Sequence, residues 1–307
     1  MISEVNNKII FKDIESFNDL DLYIQSQLKD KLYLILLESR IANSKQYNKK
    51  YHKYFQKILT WNDRLVDNQK YFKFNIPQLI YNTVKPYPFN QKRLGCIINN
   101  NKIGINKYEL YSVRKETILH FQKYFDDFDV YGEGWNEKQL KIISFLHCCK
   151  NIKQMNWNRF KFALDYFFNI KNVDNYKGII GGLNNWIESA KECSKIYYKY
   201  KFALCYENIY SDPGYISEKI FNCLNARCVP IYLGAPNIEK YIPRGCYIDV
   251  REFKSNKELI NYICVIENDE KIYNEYIKNI DKFLNSDQVK KFSIENYNKR
   301  IKQVFGV

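Results

Sequence analysis

Histidine is nearly absent from this chain of 307 residues, which has only His52, His120 and His147, none at metal-ligand spacing from another. That scarcity argues against an imidazole-built zinc site and against a histidine-based triad. No C-x-x-C pair occurs among the nine cysteines, and their number is odd. They are expected to be reduced and mostly buried rather than a disulfide framework, with Cys205, Cys223 and Cys228 inside expected elements. No apolar run approaches membrane-spanning length, and charges interrupt Met1 to Leu20 every few residues, so neither a signal peptide nor a transmembrane helix is expected. Acidic residues are the minority, 34 Asp and Glu against 48 Lys and Arg, for a formal charge of +14. A basic chain can collect on phosphate backbones or at a membrane surface. Here the positive charge is spread rather than gathered on one helix, and no zinc-finger, RRM or KH signature accompanies it. A basic nucleic-acid or membrane-surface module therefore stays as the alternative of another class. The main reading is a globular protein that does not act on nucleic acid, since 46% hydrophobic and 27% charged residues supply an ordinary core and surface.

What the chain does have is a dense unit from Tyr200 to Leu233, YKFALCYENIYSDPGYISEKIFNCLNARCVPIYL. Phe202, Leu204 and Tyr206 alternate as in a strand, and the run stops at Glu207 and Asn208, which places two polar side chains at its C-terminal end. In open α/β sheets that edge is where ligands bind. The loop from Ile209 to Gly214 offers Ser211 or Asp212 as a helix N-cap, with Pro213 suited to the first turn. Ile216, Ile220 and Leu224 then form the buried stripe of a helix, and Glu218, Lys219 and Asn222 fall on its other faces. A lysine near the N-terminus of a helix aimed at the strand ends is well placed for phosphate, because backbone N–H groups, the helix dipole and an ammonium converge there. The expected ligand is a nucleotide or sugar nucleotide.

These residues resemble the donor-binding signature of the α-1,3-fucosyltransferases, glycosyltransferase family 10. The resemblance is carried by Tyr-Lys-Phe-x-Leu-x-Tyr-Glu-Asn ending at Asn208, Gly-Tyr-Ile-Ser-Glu-Lys-Ile from Gly214, and Val-Pro-Ile-Tyr-Leu-Gly from Val229. Phe125 to Trp135, FDDFDVYGEGW, is similar to the family's strand and turn, with Arg114 upstream where the family has an arginine before a helix. Tyr247 to Phe253, YIDVREF, is similar to the segment after the family's glycine turn. Glu38 to Phe74 is similar to the acceptor-side region of some members, where a glutamate begins a loop. The likeness is strong from about Arg93 to Phe253 and weaker before Pro77. Few residues precede Glu38, and Trp135 to Tyr200 holds extra sequence, including Cys148, Cys149 and the aromatic run Trp157 to Phe168.

The resemblance implies an α/β fold of the GT-B type, two Rossmann-like domains facing a central cleft, with the N-terminal domain reduced. Pattern supports the division: Pro77, Pro86 and Pro88 fall in one short segment between two regions of regular patterning. Leu32 to Leu37 reads as a buried parallel strand ending at Glu38, and further strands are expected at 94–98, 129–131, 202–206, 229–233 and 247–250. The expected units are an N-terminal acceptor-binding domain over 1–88, a GDP-sugar donor-binding domain over 89–285, and a C-terminal amphipathic helix over 286–307. That last segment is basic on one side, and either packs its apolar side on the body or makes peripheral contact with a membrane surface.

The activity so implied is an inverting glycosyl transfer that moves L-fucose from GDP-fucose to a hydroxyl of a GlcNAc- or glucose-type glycan, α-1,3 by analogy. The alternative within the family is another GDP-sugar, or nucleotide binding without turnover. Such a transfer needs a carboxylate to take the acceptor proton and cations or dipoles for the departing diphosphate. Glu38 is the expected catalytic base, with Asp63 behind it. Arg114 and Lys219, with Asn208 and Tyr215 as hydrogen-bond donors, are the expected diphosphate ligands, and Arg159 replaces Arg114 if the register differs. Glu218 is assigned to the ribose hydroxyls, and Glu207 either contacts the sugar or orients Arg114. Asp127 and Asp129 form a D-x-D but read as a strand entry rather than a metal site, so no obligatory cofactor is expected, with Mn2+ or Mg2+ left as a stimulant. Golgi members of the family carry an N-terminal anchor, whereas this chain is similar to the cytoplasmic forms of bacteria and large viruses.

Overall fold

The computed structural model describes residues 1–26, 29–80, 87–102, 106–132, 135, 173–174 and 186–307. Two sheets organise the chain. The first holds β1 (Ile2–Val5), β2 (Lys8–Lys12), β3 (Leu32–Leu36), β4 (Lys57–Thr60) and β5 (Tyr71–Lys73), hydrogen-bonded in that order. Strands β1 and β2 form an antiparallel hairpin, and the later pairings are parallel. Its turn is Asn6 and Asn7, both at positive φ, which asparagine tolerates better than most residues. Burial of Leu32, Leu34, Ile35 and Leu36 on both faces explains why β3 reads as a continuous apolar run.

The second sheet holds β6 (Arg93–Ile98), β7 (Phe128–Tyr131), β8 (Val173–Asp174), β9 (Tyr200–Tyr206), β10 (Val229–Leu233) and β11 (Ile248–Asp249). Its spatial order is β11-β10-β9-β6-β7-β8, with every pairing parallel. Counted from the first strand, this is the doubly wound order 3-2-1-4-5-6, whose switch point lies between β6 and β9. All seven residues of β9 are buried. The crevice expected of this topology therefore opens beyond Ile98 and Tyr206, beside Glu207 and Asn208.

The helices are α1 (Phe17–Gln25), α2 (Lys49–His52), α3 (Tyr111–Tyr124), α4 (Trp186–Tyr197), α5 (Glu218–Asn225), α6 (Asn256–Glu267), α7 (Glu270–Leu284), α8 (Asp287–Lys290) and α9 (Ile294–Phe305). Helix α9 returns to the first sheet. Val304 and Phe305 are buried against Ile10, Ile35, Leu59 and Trp61. Lys8 Nζ donates to the Phe305 carbonyl (2.6 Å), Lys57 Nζ to that of Val304 (2.9 Å), and Arg300 Nε to that of Lys73 (2.9 Å). Just before it, Phe292 sits in the second core, 4.7 Å from the Phe221 ring. Of the two readings of this basic helix, the structure has the packed one, with Lys299 and Lys302 left exposed. Among the described residues no helix is long and apolar enough to cross a membrane. Cys96, Cys205, Cys223, Cys228 and Cys246 are free and buried, while Cys148, Cys149 and His147 lie outside the described residues.

Candidate active site

Glu207 leaves the end of β9 fully buried and turns toward the start of α5. Its Oε1 accepts from the Ser217 backbone N–H (2.8 Å) and its Oε2 from the Ser217 hydroxyl (2.7 Å). Ser217 is the N-cap of α5. This differs from the expected cap at Ser211 or Asp212: Asp212 is taken by an ion pair with Arg40, and Gly214 at φ +83° turns the chain once more before the helix begins. Ile216, Ile220 and Leu224 are buried as the stripe requires, but Asn222 is buried as well.

Lys219, at the second position of α5, aims its ammonium back toward the cap. Nζ lies 3.0 Å from Ser217 Oγ, 3.5 Å from Glu218 Oε1 and 3.6 Å from Glu207 Oε2. Burial opposes its charge, but Glu218 and then Glu207 outweigh burial and hold the ammonium above its ordinary pKa, with Arg114 pulling the other way. Burial raises the pKa of Glu207, and Lys219 and the Ser217 N–H pull it back down. At Glu218 burial is outweighed by Lys219 and by hydrogen bonds to the charged form, so this carboxylate stays below its usual value. More than half of the Glu218 side-chain surface still reaches solvent, as befits the lip of a concave wall. The N-terminus of α5 thus presents one ammonium, one exposed carboxylate and the positive end of the helix dipole to the crevice, its Lys219 N–H being capped by Ser217 Oγ.

The opposite wall comes from the first sheet. Glu38 follows β3, and its backbone N–H donates to the Asp13 carboxylate (3.2 Å). Its own carboxylate is exposed and makes no hydrogen bond among the described residues. Desolvation by surrounding protein, then the negative charges of Asp13 and Glu218, raise its pKa, while Lys219 and Lys102 lower it. Glu38, Glu218 and Lys219, the expected base and the expected donor-side pair, lie within electrostatic range of one another. Tyr215 lies at the same junction, buried, with its ring 4.7 Å from Trp61 and its hydroxyl near Ser39. Its phenol is pushed far up by burial first and then by Glu207, Glu38 and Glu218.

Arg114 sits behind this surface rather than on it. It is 2% exposed on α3, and Nη2 donates to the carbonyls of Tyr206 (2.8 Å) and Glu207 (3.2 Å). Its Nε is buried without a hydrogen-bond partner among the described residues, beside the strand end. Burial lowers the guanidinium pKa despite Tyr111 and Glu207 nearby. Asn208 accepts at its carbonyl from the Leu110 N–H (3.1 Å), and its side-chain amide makes no hydrogen bond among the described residues. Arg159 lies outside the described residues.

Three other carboxylates are committed elsewhere. Asp63 pairs with Lys73 (2.6 Å) and accepts from Asn237 Nδ2 (2.8 Å) and the Tyr241 hydroxyl (2.7 Å), so the second-choice base is a clamp between the two halves. Asp127 and Asp129 are both held by the Arg93 guanidinium, and Tyr200 donates its hydroxyl to Asp129. No cluster of metal-ligating side chains occurs among the described residues. Asp13, Arg40, Trp61 and Lys102 were not legible as site residues, because each earns its place through a partner far along the chain. The one available signal was Trp61-Asn62-Asp63 and Ser39-Arg40, polar and aromatic residues directly after strands of a parallel sheet.

With this geometry in place, comparison with known proteins is informative. Residues 156–301 match the family model described as glycosyltransferase family 10 (fucosyltransferase), C-terminal. Glycoprotein 3-alpha-L-fucosyltransferase A of Drosophila melanogaster is 41% identical over 110 residues, 34% of this chain and 22% of the relative. GDP-fucose protein O-fucosyltransferase 3 of Xenopus tropicalis is 38% identical over 81 residues, 26% of this chain and 17% of the relative. The matched stretch thus spans about a fifth of those relatives' length. A solved alpha1,3-fucosyltransferase structure with GDP superposes with a TM-score of 0.54 at 13% identity, covering 90% of this chain and 75% of that one. The fold is therefore GT-B, and residues 156–301 are similar to the C-terminal domain of glycosyltransferase family 10.

Proposed function

We propose that this protein is an inverting fucosyltransferase that binds GDP-fucose at the C-terminal edge of the second sheet and transfers L-fucose to a hydroxyl of a GlcNAc- or glucose-type glycan in α-1,3 linkage. In this reading 1–88 bind the acceptor, 89–285 bind the donor, and 286–307 tie the two together. The observation that supports the reading is that Glu38, whose carboxylate makes no hydrogen bond among the described residues, follows β3 within electrostatic range of Glu218 and Lys219 at the N-terminus of α5. The acceptor oxygen attacks the anomeric carbon, Glu38 takes its proton, and the bond from that carbon to the β-phosphate oxygen breaks to release GDP. Lys219 and the N–H groups of α5 meet the charge that develops on the leaving diphosphate. Arg114 Nε and the Asn208 amide supply further donors, Tyr215 its hydroxyl, and Glu218 accepts from the ribose. Glu207 acts on Lys219 and Ser217 rather than on the sugar. Diphosphate charge is met by side chains and N–H groups in this scheme, so added Mn2+ or Mg2+ stimulates at most.

Calorimetric titration of GDP and GDP-fucose into the wild type and Lys219→Ala, without metal and at moderate salt, tests the reading. GDP is expected to bind the wild type and to lose about ten- to a hundredfold in affinity in the variant, the range for one charge-assisted hydrogen bond. A wild type that ignores GDP and GDP-fucose overturns the donor site. Binding of GDP with preference for a different GDP-sugar keeps the site and changes the sugar.

A further inference from the structure

We propose that Arg40 and Asp212 are positioning residues that set the separation between Glu38 and the donor-side pair Glu218 and Lys219. The inference rests on the functional reading above and concerns a contact that the reading does not use. Arg40 Nε donates to Asp212 Oδ2 (2.8 Å), Nη2 donates to Asp212 Oδ1, and Nη2 also reaches Ser211 Oγ (3.1 Å). Asp212 is 1% exposed and Arg40 36%, so a buried carboxylate of one half is neutralised by a fork that reaches over from the other.

The neighbours of Glu38 make the same crossing. The Leu37 carbonyl accepts from Trp61 Nε1 (3.0 Å), the Trp61 ring packs tilted against that of Tyr215, and the buried Ser39 lies near the Tyr215 hydroxyl. From the donor side, the Pro213 carbonyl accepts from the Asp63 N–H (3.1 Å), and a Cβ on Gly214 would come within 2.4 Å of the Trp61 carbonyl. Glu38 therefore hangs from a segment whose flanking residues are anchored to the loop that leads into Ser217 and α5. Its carboxylate is left unanchored among the described residues, which is what a proton acceptor for an incoming hydroxyl needs. A bidentate arginine fixes distance and orientation together, whereas a lysine at the same place supplies charge alone. Misplacement of a reacting group by about 1 Å can cost roughly a hundredfold in rate.

The test is Arg40→Lys, which keeps a cation beside the buried Asp212 and so avoids an uncompensated charge. Two quantities are read: GDP affinity by calorimetry, and the rate of GDP release from saturating GDP-fucose, with water as acceptor when no sugar is supplied. The expected result is GDP affinity within about threefold of wild type and turnover lowered about ten- to a hundredfold. Ser39→Ala, which removes a buried hydroxyl beside Glu38 and Tyr215 without touching a charge, is expected to show the same split at smaller size. Unchanged turnover in folded Arg40→Lys overturns the proposal, and so does a parallel loss of GDP affinity and turnover, the mark of a merely structural contact. Failure of the wild type to bind GDP sinks the donor-site reading and takes this proposal with it, whereas wild-type binding with an indifferent Arg40→Lys sinks the proposal alone.

Discussion

A carboxylate that must accept a proton gains from whatever makes it a stronger base, and Glu38 collects such influences: surrounding protein, then Asp13, then Glu218. The same influences cost stability. Because the folded pKa lies above the unfolded one, the favourable contribution is complete below the unfolded pKa and is lost as pH rises through the folded value. Glu38→Gln is therefore expected to melt above the wild type at neutral pH, with the gap closing near pH 4, as thermal scans across that range would reveal. In turnover the same variant is expected to lose about a hundred- to ten-thousandfold while keeping GDP affinity. An unaltered rate would remove Glu38 as the base. Lys219 offers the complementary test. Burial disfavours its ammonium, and Glu218 and Glu207 restore it. Tyr111 and Arg114 of α3 and Glu38 of the first half also face it, Arg114 being the one that disfavours the charge. Replacing Glu207 by Gln removes one of the supporting charges, so GDP affinity is expected to begin its alkaline decline at lower pH than in the wild type. An unmoved decline would mean that Glu207 acts only on Ser217.

Helix α5 shows how much an element can reveal and conceal. Its stripe, its lysine and the strand before it are local patterns, and they were legible, as were β3, β6, β7, β9, β10 and β11, whose apolar runs are written in single segments. Its first residue was not. Ser211 and Asp212 have ordinary capping chemistry, but Asp212 is claimed by Arg40, 172 positions away in sequence. Ser217 wins because Glu207 holds both its N–H and its hydroxyl. Strands β1, β2, β4, β5 and β8 went unread; β5, for one, is only half-buried along its length, so no strong period marks it. The expectation that Arg114 binds diphosphate also came from pattern alone, whereas its burial behind β9 is a property of packing. Ser217→Ala isolates the cap. It removes the α5 cap and leaves Glu207 and Lys219 each short of a partner, for an expected loss of about 1–3 kcal/mol in denaturant unfolding. A loss no larger than that of an exposed serine would show that Glu207 does not depend on it.

At the scale of the molecule, the chain begins in the first sheet, builds the second, and returns in α9 to cover the first. The first sheet cannot bury one face alone, because Ile10, Ile35 and Leu59 meet Val304 and Phe305 there. Lys8 and Lys57 bond the last carbonyls of α9, which also places cations at the negative end of its dipole. This returning helix therefore contributes to the stability of the half built on the first sheet. Phe305, 2% exposed and 4.8 Å from the Tyr33 ring, is the natural lever. Phe305→Ala is expected to cost about 3–5 kcal/mol, the range for a buried phenylalanine. If the halves unfold separately, the whole loss falls on the transition of the first, and calorimetry of the variant resolves two transitions of which saturating GDP raises only the upper, by mass action on the folded donor half. If the Arg40, Asp63 and Trp61 contacts couple the halves fully, a single transition persists and GDP restores part of what Phe305→Ala removes. The first pattern would make α9 a strap for one half, and the second would make the cleft itself the strongest bond between them.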